Sequence, residues 1–322
     1  MVEKRKNFTV VDLFAGIGGI CLGFKQAGFD IVWANERDAA ACKTYRYNFG
    51  GTYLVEGDIR NISVESIPDF DVLTAGFPCQ SFSTAGFRKG FRDPRGNLFF
   101  EIIRIVNKKQ PRFIFLENVE NIIEHDNQKT FLTIFNSLSE CGYVVKYRTM
   151  QPYDYAGIPQ RRKRVFIVAF RDLDDCDAFS FPDEIENKQN IENVIDFSTK
   201  QHPIYYYKSE HPSYAELAQK AKPGKIYSLQ NDGSVYCSGT LCPTLIAGMG
   251  KFPDRIPVVR DSYGIRRLTI RECLRFQGFP EDFNISQENS IEDAYKQVGN
   301  SVCVPVINRI ATEIAKVIQR TV

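Results

Sequence analysis

The sequence predicts an α/β fold, with a doubly wound, mostly parallel sheet and a second, smaller, loop-rich domain. Two observations predict the sheet: short continuous apolar runs, and helix-like segments that alternate with them through the first 170 residues. Parallel strands that are buried on both faces carry such runs. A third observation predicts the small domain, because Pro and Gly recur and helical periodicity weakens between about 180 and 265.

The apolar runs predict strands at Phe8–Phe14, Ile31–Ala34, Asp71–Ala75, Arg112–Leu116 and Arg164–Ala169. A glycine-rich turn follows the first run and leads into a helix that reaches about Ala27. Two more helices are predicted near 269–277 and 304–318. Polar residues stand just after several of these runs. Because open α/β sheets bind ligands at the carboxyl ends of their strands, the sequence predicts a ligand site there.

Composition excludes several classes of protein. The 322 residues are 43% hydrophobic and 25% charged with a net charge of +2, which is ordinary for a globular chain and excludes a strongly acidic or basic tail. Nine scattered cysteines form no C-x-x-C pair and there are three histidines, so we expect no metal site and a reducing compartment. No apolar run approaches the ~20 residues of a membrane span. We therefore expect a cytoplasmic protein with no membrane contact.

The glycine-rich turn and two later acids indicate a nucleoside-type cofactor. The turn after Asp12 lets backbone N–H groups approach a ligand closely, although Cys21 stands where the dinucleotide fingerprint requires glycine. Glu36 ends the second strand, where a carboxylate can accept from ribose hydroxyls. Asp58 could accept from an adenine amino group. Taken singly, each acid is more simply a solvated strand end; three strand ends in order favour the cofactor.

A cysteine after the third predicted strand is the candidate nucleophile. Cys79 follows Pro78 at the ligand-binding edge, and a reactive thiolate needs partial exposure and electropositive surroundings. We interpret 86–112 as a mobile loop; it holds eight basic and two acidic side chains. This net charge of +6 suits phosphate contact, although a solvated basic face has the same composition.

Three further positions could take part in the chemistry. Glu117 ends a strand, where it could protonate or hold a ring nitrogen or make a structural hydrogen bond. A strand that opens at 160 would place Arg162 and Arg164 on one face by alternation, where they could grip a substrate oxygen or form a solvated charge run. Asn300 and Ser301 precede the last helix, which they could cap, or they could bind a carboxylate.

Together these motifs resemble those of the DNA (cytosine-5) methyltransferases, in the order along the chain that the family has. Four further segments resemble family motifs: Gly96-Asn97-Leu98-Phe99, Arg267-Leu268-Thr269 with Glu272 and Cys273, Gln277-Gly278-Phe279-Pro280, and Gly299-Asn300-Ser301. The resemblance covers about 1–171 and 266–322. It implies the Rossmann-like fold of S-adenosylmethionine-dependent methyltransferases and an enzyme of the bacterial restriction–modification type.

The resemblance also implies roles for individual residues. Cys79 would add to C6 of a flipped-out cytosine, so that C5 takes the methyl group of S-adenosylmethionine. Glu117 would hold and protonate N3, and Arg164 would contact O2 with the support of Arg162. The implied cofactor contacts are Phe14, Ala15, Gly16, Ile17, Gly18, Gly19, Glu36, Arg37, Asp58, Ile59, Pro78, Leu98, Asn300 and Ser301. The implied DNA contacts are Gln80, Ser83, Arg95, Asn118 and Thr244.

The predicted catalytic domain comprises 1–182 and 298–322, the target-recognition domain 183–265, and a hinge segment 266–297. Residues 183–265 hold nine basic and ten acidic side chains, so we expect phosphate contact mainly from the large domain. Base reading would fall to loops such as the one at Thr244. Ala85 stands where some relatives have a polar residue, which puts one DNA contact in doubt.

Four other functions are alternatives to DNA cytosine-5 methylation. A tRNA cytosine-5 methyltransferase would carry a Cys-Phe-Thr element in the variable region, and none is present. A catalytically silent DNA-binding relative should have lost Cys79, Glu117 or Arg164. An amino-methyltransferase would show a D/N/S-P-P-aromatic motif, and a nicotinamide oxidoreductase would need glycine in place of Cys21. DNA cytosine-5 methylation is therefore favoured.

The same interpretation predicts the oligomeric state and the partners of the protein. We expect a monomer, because the two strands of a symmetric site can be methylated one at a time, and we expect it to act on double-stranded DNA in the nucleoid. A cognate restriction endonuclease would be a functional partner without forming a stable complex.

Overall fold

The structure is a computed structural model that describes residues 8–51, 53–78, 98–230, 232–250 and 255–320. The chain divides into two compact units. The first comprises Met1–Met150, Lys163–Pro182 and Val306–Val322, and the second comprises Gln151–Arg162 and Asp183–Pro305. These units differ from the predicted domains, since 151–162 and 298–305 belong with the second unit. Motif order and composition do not reveal which distant segments pack together.

The strands are, in chain order, β1 (Thr9–Leu13), β2 (Asp30–Glu36), β3 (Leu54–Glu56), β4 (Val72–Gly76), β5 (Phe113–Val119), β6 (Val144–Met150), β7 (Arg164–Phe170), β8 (Ile226–Leu229), β9 (Val235–Gly239), β10 (Val258–Asp261) and β11 (Gly264–Arg267). The α-helices are α1 (Gly19–Gln26), α2 (Ala39–Phe49), α3 (Leu98–Lys109), α4 (Lys129–Glu140), α5 (Pro152–Ala156), α6 (Leu173–Ala178), α7 (Tyr214–Lys220), α8 (Ile270–Phe276), α9 (Ile291–Asn300) and α10 (Val304–Arg320).

A seven-stranded sheet in the order β3-β2-β1-β4-β5-β7-β6 forms the centre of the first unit. The first five strands of this order run parallel, and β7 is antiparallel to both of its neighbours. Nearly every residue of β1, β4, β5 and β7 is buried, as a sheet covered on both faces requires. The predicted mostly parallel sheet is confirmed.

Helix α1, which follows the glycine-rich turn, is held tightly against α10. A Cβ atom built on Gly23 would lie 2.6 Å from Cβ of Ile307. The Asn308 side chain donates to the Gly23 carbonyl at 3.3 Å. A side chain at position 23 would force the two helices apart, so glycine is required there and the helix is fixed beneath the turn.

The second unit contains a four-stranded antiparallel sheet in the order β11-β10-β8-β9. Leu217 of α7 and Tyr227, Val258 and Ile265 of the sheet form its apolar cluster. The sequence predicted only a loop-rich region here, because these strands have four or five residues each and little regular alternation.

A buried ion-pair network organises the segment between β10 and α8. Arg266 is fully buried; its Nε donates to Asp261 at 2.6 Å, and its two Nη atoms donate to Glu272 at 2.8 Å each. Tyr206 also donates to Asp261, at 2.9 Å. Because a buried charge is tolerated only when it is paired and hydrogen-bonded, the network fixes one arrangement of these elements.

Two local predictions were wrong, and two strands were not predicted. Residues 86–112 are not one loop, since α3 occupies Leu98–Lys109 and buries Phe99, Ile102 and Val106 on one face; the charge count hid this helical spacing. Strand β7 begins at Arg164 and not at 160. The short β3 and the edge strand β6 were not predicted. No helix within the described residues is long and apolar enough to cross a membrane.

Candidate functional site

The glycine-rich turn between β1 and α1 has a backbone that only particular residues tolerate. Gly16 has φ +56° and Gly18 has φ +90°, while Phe14 adopts φ +58°. A Cβ atom on Gly18 would lie 2.3 Å from the Phe49 ring, whereas a Cβ atom on Gly16 would meet no described atom within 4 Å. The turn is therefore packed from below at Gly18 and has open space over Gly16, which lets a ligand approach the backbone.

Glu36, the last residue of β2, is tied to this turn. One carboxylate oxygen accepts from the Gly16 N–H at 2.8 Å. The other accepts from the N–H groups of Arg37 and Asp38 at 2.8 and 2.7 Å. A carboxylate offers about four lone-pair sites. Three of these sites are used, so the carboxylate is fixed in position and still able to accept from one further hydroxyl group.

Asp58 follows β3 and is clamped by an arginine that the sequence analysis overlooked. Its carboxylate accepts from Arg60 Nε at 2.9 Å and also from Arg60 Nη2, and Arg37 Nη1 lies 3.8 Å away. Hydrogen bonding to Arg60 lowers the pKa of Asp58 to about 2. Asp58 is therefore a permanently ionised acceptor at neutral pH, and the next residue, Ile59, is buried beside it.

A cluster of buried polar side chains lies under the turn, and the sequence analysis assigned it no role. Asp12 of β1 is fully buried; it accepts from Thr74 Oγ1 at 2.6 Å and from Cys21 Sγ at 3.0 Å. Cys21 Sγ is 3.3 Å from the Tyr45 hydroxyl. Burial raises the pKa of Asp12 to about 7 and the pKa of Cys21 well above its ordinary value. The cluster ties β1, β4, α1 and α2 together through side chains that are poorly able to ionise.

Glu117 and Arg164 form an ion pair at the edge of the same sheet. Glu117 lies near the carboxyl end of β5, and Arg164 opens β7, which pairs with β5 through Val119. Glu117 Oε1 is 3.1 Å from Arg164 Nε, and both side chains are largely buried. No described donor makes a well-directed hydrogen bond to that oxygen. A buried carboxylate oxygen with only this ion pair is available to a polar ligand.

Asn118 holds the chain that leads to the candidate nucleophile. Its side-chain amide donates to the Phe77 carbonyl at 2.9 Å, and its amide oxygen accepts from the Val119 N–H at 2.8 Å. Phe77 is buried, while Pro78 is exposed. Leu98 is partly buried at the start of α3. The predicted residues Cys79, Gln80, Ser83 and Arg95 lie outside the described residues.

The remaining predicted residues belong to the second unit. Arg162 is buried and donates to the carbonyls of Leu245, Gly299 and Ser301. Thr244 Oγ1 donates to the Arg161 carbonyl at 2.7 Å. The Arg162 guanidinium binds main-chain carbonyls, so the alternative that Arg162 belongs to a solvated charge run was wrong.

Asn300 and Ser301 also sit differently from the expectation. They end α9, with Ser301 as its C-cap, and do not cap α10, which begins at Val304. Asn300 is exposed and Ser301 is buried. Helix α9 was not predicted, and the alternative that the pair caps the last helix was therefore wrong.

The sheet brings several predicted residues of the first unit to one edge. The glycine-rich turn, Glu36, Asp58, Pro78 and Glu117 follow or end β1, β2, β3, β4 and β5, which are parallel neighbours. The carboxyl ends of parallel strands meet at one edge of a sheet. Backbone N–H groups and three carboxylates thus line this edge.

The comparisons with known proteins agree with this architecture. The family model described as C-5 cytosine-specific DNA methylase matches residues 8–316. Type II methyltransferase M.Bsp6I of Bacillus sp. (strain RFL6) is 46% identical over 311 residues, which are 95% of this chain and 98% of the relative. Type II methyltransferase M.HhaI of Haemophilus parahaemolyticus is 35% identical over 323 residues, 98% of this chain and 97% of the relative.

A solved structure shares the fold. The crystal structure of the Dnmt2 methyltransferase of S. pombe superposes with a TM-score of 0.75 at 22% sequence identity, over 96% of this chain and 99% of that chain. The likeness includes the large sheet and the smaller unit, so the predicted fold class is confirmed.

Proposed function

The chain belongs to the C-5 cytosine-specific DNA methylase family, and on that premise we propose that Glu117 and Arg164 hold its target base while Cys79 attacks it. The protein is a DNA cytosine-5 methyltransferase of the restriction–modification kind. The observation that carries the proposal is the Glu117–Arg164 ion pair, with its incompletely satisfied carboxylate oxygen at the ligand-binding edge.

The reaction needs an acid and a nucleophile because C5 of cytosine is a poor nucleophile. The Cys79 thiolate forms a bond to C6 while N3 receives a proton from Glu117, which leaves an electron-rich C5. C5 then bonds to the methyl carbon of the donor as the bond between that carbon and the donor's sulfur breaks. The C5 proton passes to a water molecule, the bond between the Cys79 sulfur and C6 breaks, N3 returns its proton to Glu117, and the aromatic ring is restored. Arg164 holds O2 of the base and orients Glu117.

Family and fold imply that S-adenosylmethionine is the donor, and its sulfonium supplies an electrophilic methyl group. The first unit fits this molecule. The space over Gly16 admits it to the turn Phe14–Gly19, and the Glu36 and Asp58 side chains are acceptors suited to a ribose hydroxyl and an adenine amino group. We propose Arg37, Ile59, Pro78 and Leu98 as the neighbouring contacts.

Asn300 and Ser301 are proposed as further cofactor contacts, as the resemblance implies. The Ser301 hydroxyl is buried and has no hydrogen-bond partner among the described residues, which supports a polar ligand at this turn.

DNA contact is proposed for Gln80, Ser83, Arg95, Asn118 and Thr244. The target base must leave the duplex to reach Cys79. Because Asn118 fixes the Phe77 carbonyl, it would also set where the segment after Pro78 begins. Arg162 is proposed as a positioning residue, since three main-chain carbonyls already use its guanidinium. We further propose a monomer in the nucleoid, functionally paired with a restriction endonuclease.

The experiment uses DNA whose cytosines are all replaced by 5-fluorocytosine. Fluorine at C5 blocks proton loss, so the covalent adduct between enzyme and base persists and migrates as a heavy band after denaturation. We expect the adduct with the wild-type enzyme and S-adenosylmethionine, none with Cys79→Ala, and a rate reduced about 10²–10⁴-fold with Glu117→Gln. Glu120→Gln is the matched control, because this nearby glutamate is exposed.

Two results would contradict the proposal. An adduct that forms at the wild-type rate with Glu117→Gln would remove that residue from the chemistry. An adduct with fluorinated tRNA and none with DNA would assign the reaction to RNA.

A further inference from the structure

We propose that Arg162 couples DNA binding to cofactor binding, because its guanidinium joins the loop at 242–245 to the turn at 299–301. The inference rests on the proposed function in one respect, which is that Thr244 contacts DNA and that Asn300 and Ser301 contact the cofactor. It adds a physical connection between the two ligands inside a single unit of the protein.

The clamp consists of one buried side chain and three carbonyls. Arg162 is 3% exposed. Its Nη1 donates to the Leu245 carbonyl at 2.6 Å, and its Nη2 donates to the Gly299 carbonyl at 3.3 Å and to the Ser301 carbonyl. Leu245 lies 54 positions before Gly299 in the sequence, whereas Gly299 and Ser301 belong to the same turn at the end of α9. The guanidinium is a rigid planar fork, so it fixes the three carbonyls relative to one another.

The two segments also touch directly. A Cβ atom on Gly299 would lie 2.1 Å from the Ile246 carbonyl oxygen, so the end of α9 rests against the loop backbone with no space for a side chain. A displacement of the loop would therefore push the turn, because packed interiors transmit strain.

On the DNA side, the chain around Arg162 holds the loop through its backbone. The Arg161 N–H donates to the Cys242 carbonyl at 2.8 Å, and the Cys242 N–H donates to the Pro159 carbonyl at 2.7 Å. Thr244 Oγ1 donates to the Arg161 carbonyl at 2.7 Å. Contact between DNA and Thr244 would thus act on the same short segment that carries the clamp.

On the cofactor side, the turn at 299–301 is also held by Gln277, and it contains a buried hydroxyl group that has no partner within the described residues. Gln277 Nε2 donates to the Val298 carbonyl at 3.0 Å, and the Val304 N–H donates to the Gln277 carbonyl at 2.9 Å. The buried Ser301 hydroxyl has no partner within the described residues. A ligand that takes this hydroxyl orders the turn whose carbonyl Arg162 holds.

Coupling follows from these contacts. If either ligand orders its segment, the clamp aligns the other segment, and the second ligand then binds to a site that is already ordered. Thermodynamic linkage requires the effect to be reciprocal, and coupling between sites is typically about 5–150-fold in affinity. Arg162→Lys keeps the charge but replaces the two Nη atoms of the rigid fork with one nitrogen on a flexible chain, so it no longer fixes the Leu245 carbonyl relative to the turn.

The test measures the Kd of S-adenosylhomocysteine by calorimetry, first without DNA and then with a saturating concentration of duplex DNA that contains the sequence in which the enzyme methylates cytosine. The coupling factor is the ratio of the two values. We expect a factor of at least about 5 for the wild type and a factor between 1 and 2 for Arg162→Lys. Lys163→Gln, which alters the neighbouring exposed lysine, should keep the wild-type factor. Gly299→Ala provides a second perturbation of the same contact and should also lower it.

Failure of the coupling through Arg162 and failure of the proposed cofactor contact give different results. A coupling factor in Arg162→Lys equal to that of the wild type would overturn the inference. If both Kd values rise equally in this variant, the factor is also unchanged, and the role of Arg162 is purely structural. A factor near 1 in the wild type would overturn the inference as well. If Ser301→Ala and Asn300→Ala leave the Kd of S-adenosylhomocysteine unchanged, the proposed cofactor contact fails, and the clamp loses one of the two ligands it is proposed to couple.

Discussion

Gly18→Ala should destabilise the first unit by more than any other single methyl group added to the glycine-rich turn. The backbone at Gly18 has φ +90°, and the new Cβ would lie 2.3 Å from the Phe49 ring. The left-handed backbone costs an L-residue about 1–2 kcal/mol, and overpacking adds roughly 1–3 kcal/mol. The free energy of unfolding should therefore fall by about 2–5 kcal/mol.

Two further variants separate the strain from the clash. Gly16→Ala meets the same kind of backbone strain at φ +56° but no described atom within 4 Å, so it should cost only about 1–2 kcal/mol. It should nevertheless weaken S-adenosylmethionine binding, because its methyl group enters the space over the turn. Phe49→Ala combined with Gly18→Ala should recover roughly 1–3 kcal/mol relative to the sum of the single changes.

The assay is urea unfolding followed by the fluorescence of Trp33. This is the single tryptophan of the chain and lies buried in β2, so it reports on the first unit. Strictly additive costs for Gly18→Ala and Phe49→Ala would refute the reasoning, as would equal costs for the Gly16 and Gly18 variants.

Three other perturbations have defined outcomes. Burial raises the pKa of Asp12 to about 7, so the folded state holds a proton that the unfolded state releases near pH 4. The stability of the wild type relative to Asp12→Asn should therefore fall as pH rises from about 4 to 7 and stay level above pH 7. Urea midpoints of both proteins across this pH range measure the difference. Arg266→Met leaves two buried carboxylates without their cation and should cost about 3–5 kcal/mol, seen in calorimetry as a lower unfolding temperature than that of the wild type. Arg60→Gln removes the guanidinium that fixes the Asp58 carboxylate. It should raise the pKa of Asp58 toward its ordinary value and, because the acceptor is no longer held in place, raise the KM for S-adenosylmethionine several-fold with kcat unchanged; a fall in kcat alone would contradict the proposed role of Asp58 in cofactor binding.

The sequence predicted the parts of the first unit whose structure follows from local pattern. The runs at β1, β4, β5 and β7 are apolar because both faces of these strands are covered, and the turn glycines mark a backbone that other residues resist. The edge strand β6 lacks a clear alternation, since three of its seven residues are exposed and Met150 alone among them is buried. Its position depends on pairing with β7, which is a long-range property that no local pattern contains.

The sequence predicted which residues belong to the candidate site better than it predicted the contacts that their side chains make. Glu36, Asp58 and Glu117 were identified as strand-end acids, and they stand at the expected edge. What the sequence could not predict is how each is held: Arg60 clamps Asp58, and Arg164 pairs with Glu117. Arg162 shows the limit most clearly, because its three carbonyl partners come from segments more than eighty positions away.

The most direct test of the account is bisulfite sequencing of plasmid DNA from a host that lacks cytosine methylation and expresses this chain, beside Cys79→Ala and Glu117→Gln. The account predicts protected cytosines in one short recurring sequence with the wild type, none with Cys79→Ala, and few with Glu117→Gln. Protection that persists in Cys79→Ala would contradict the proposed nucleophile, and unprotected DNA from cells with folded wild-type protein that binds S-adenosylmethionine would contradict the central claim.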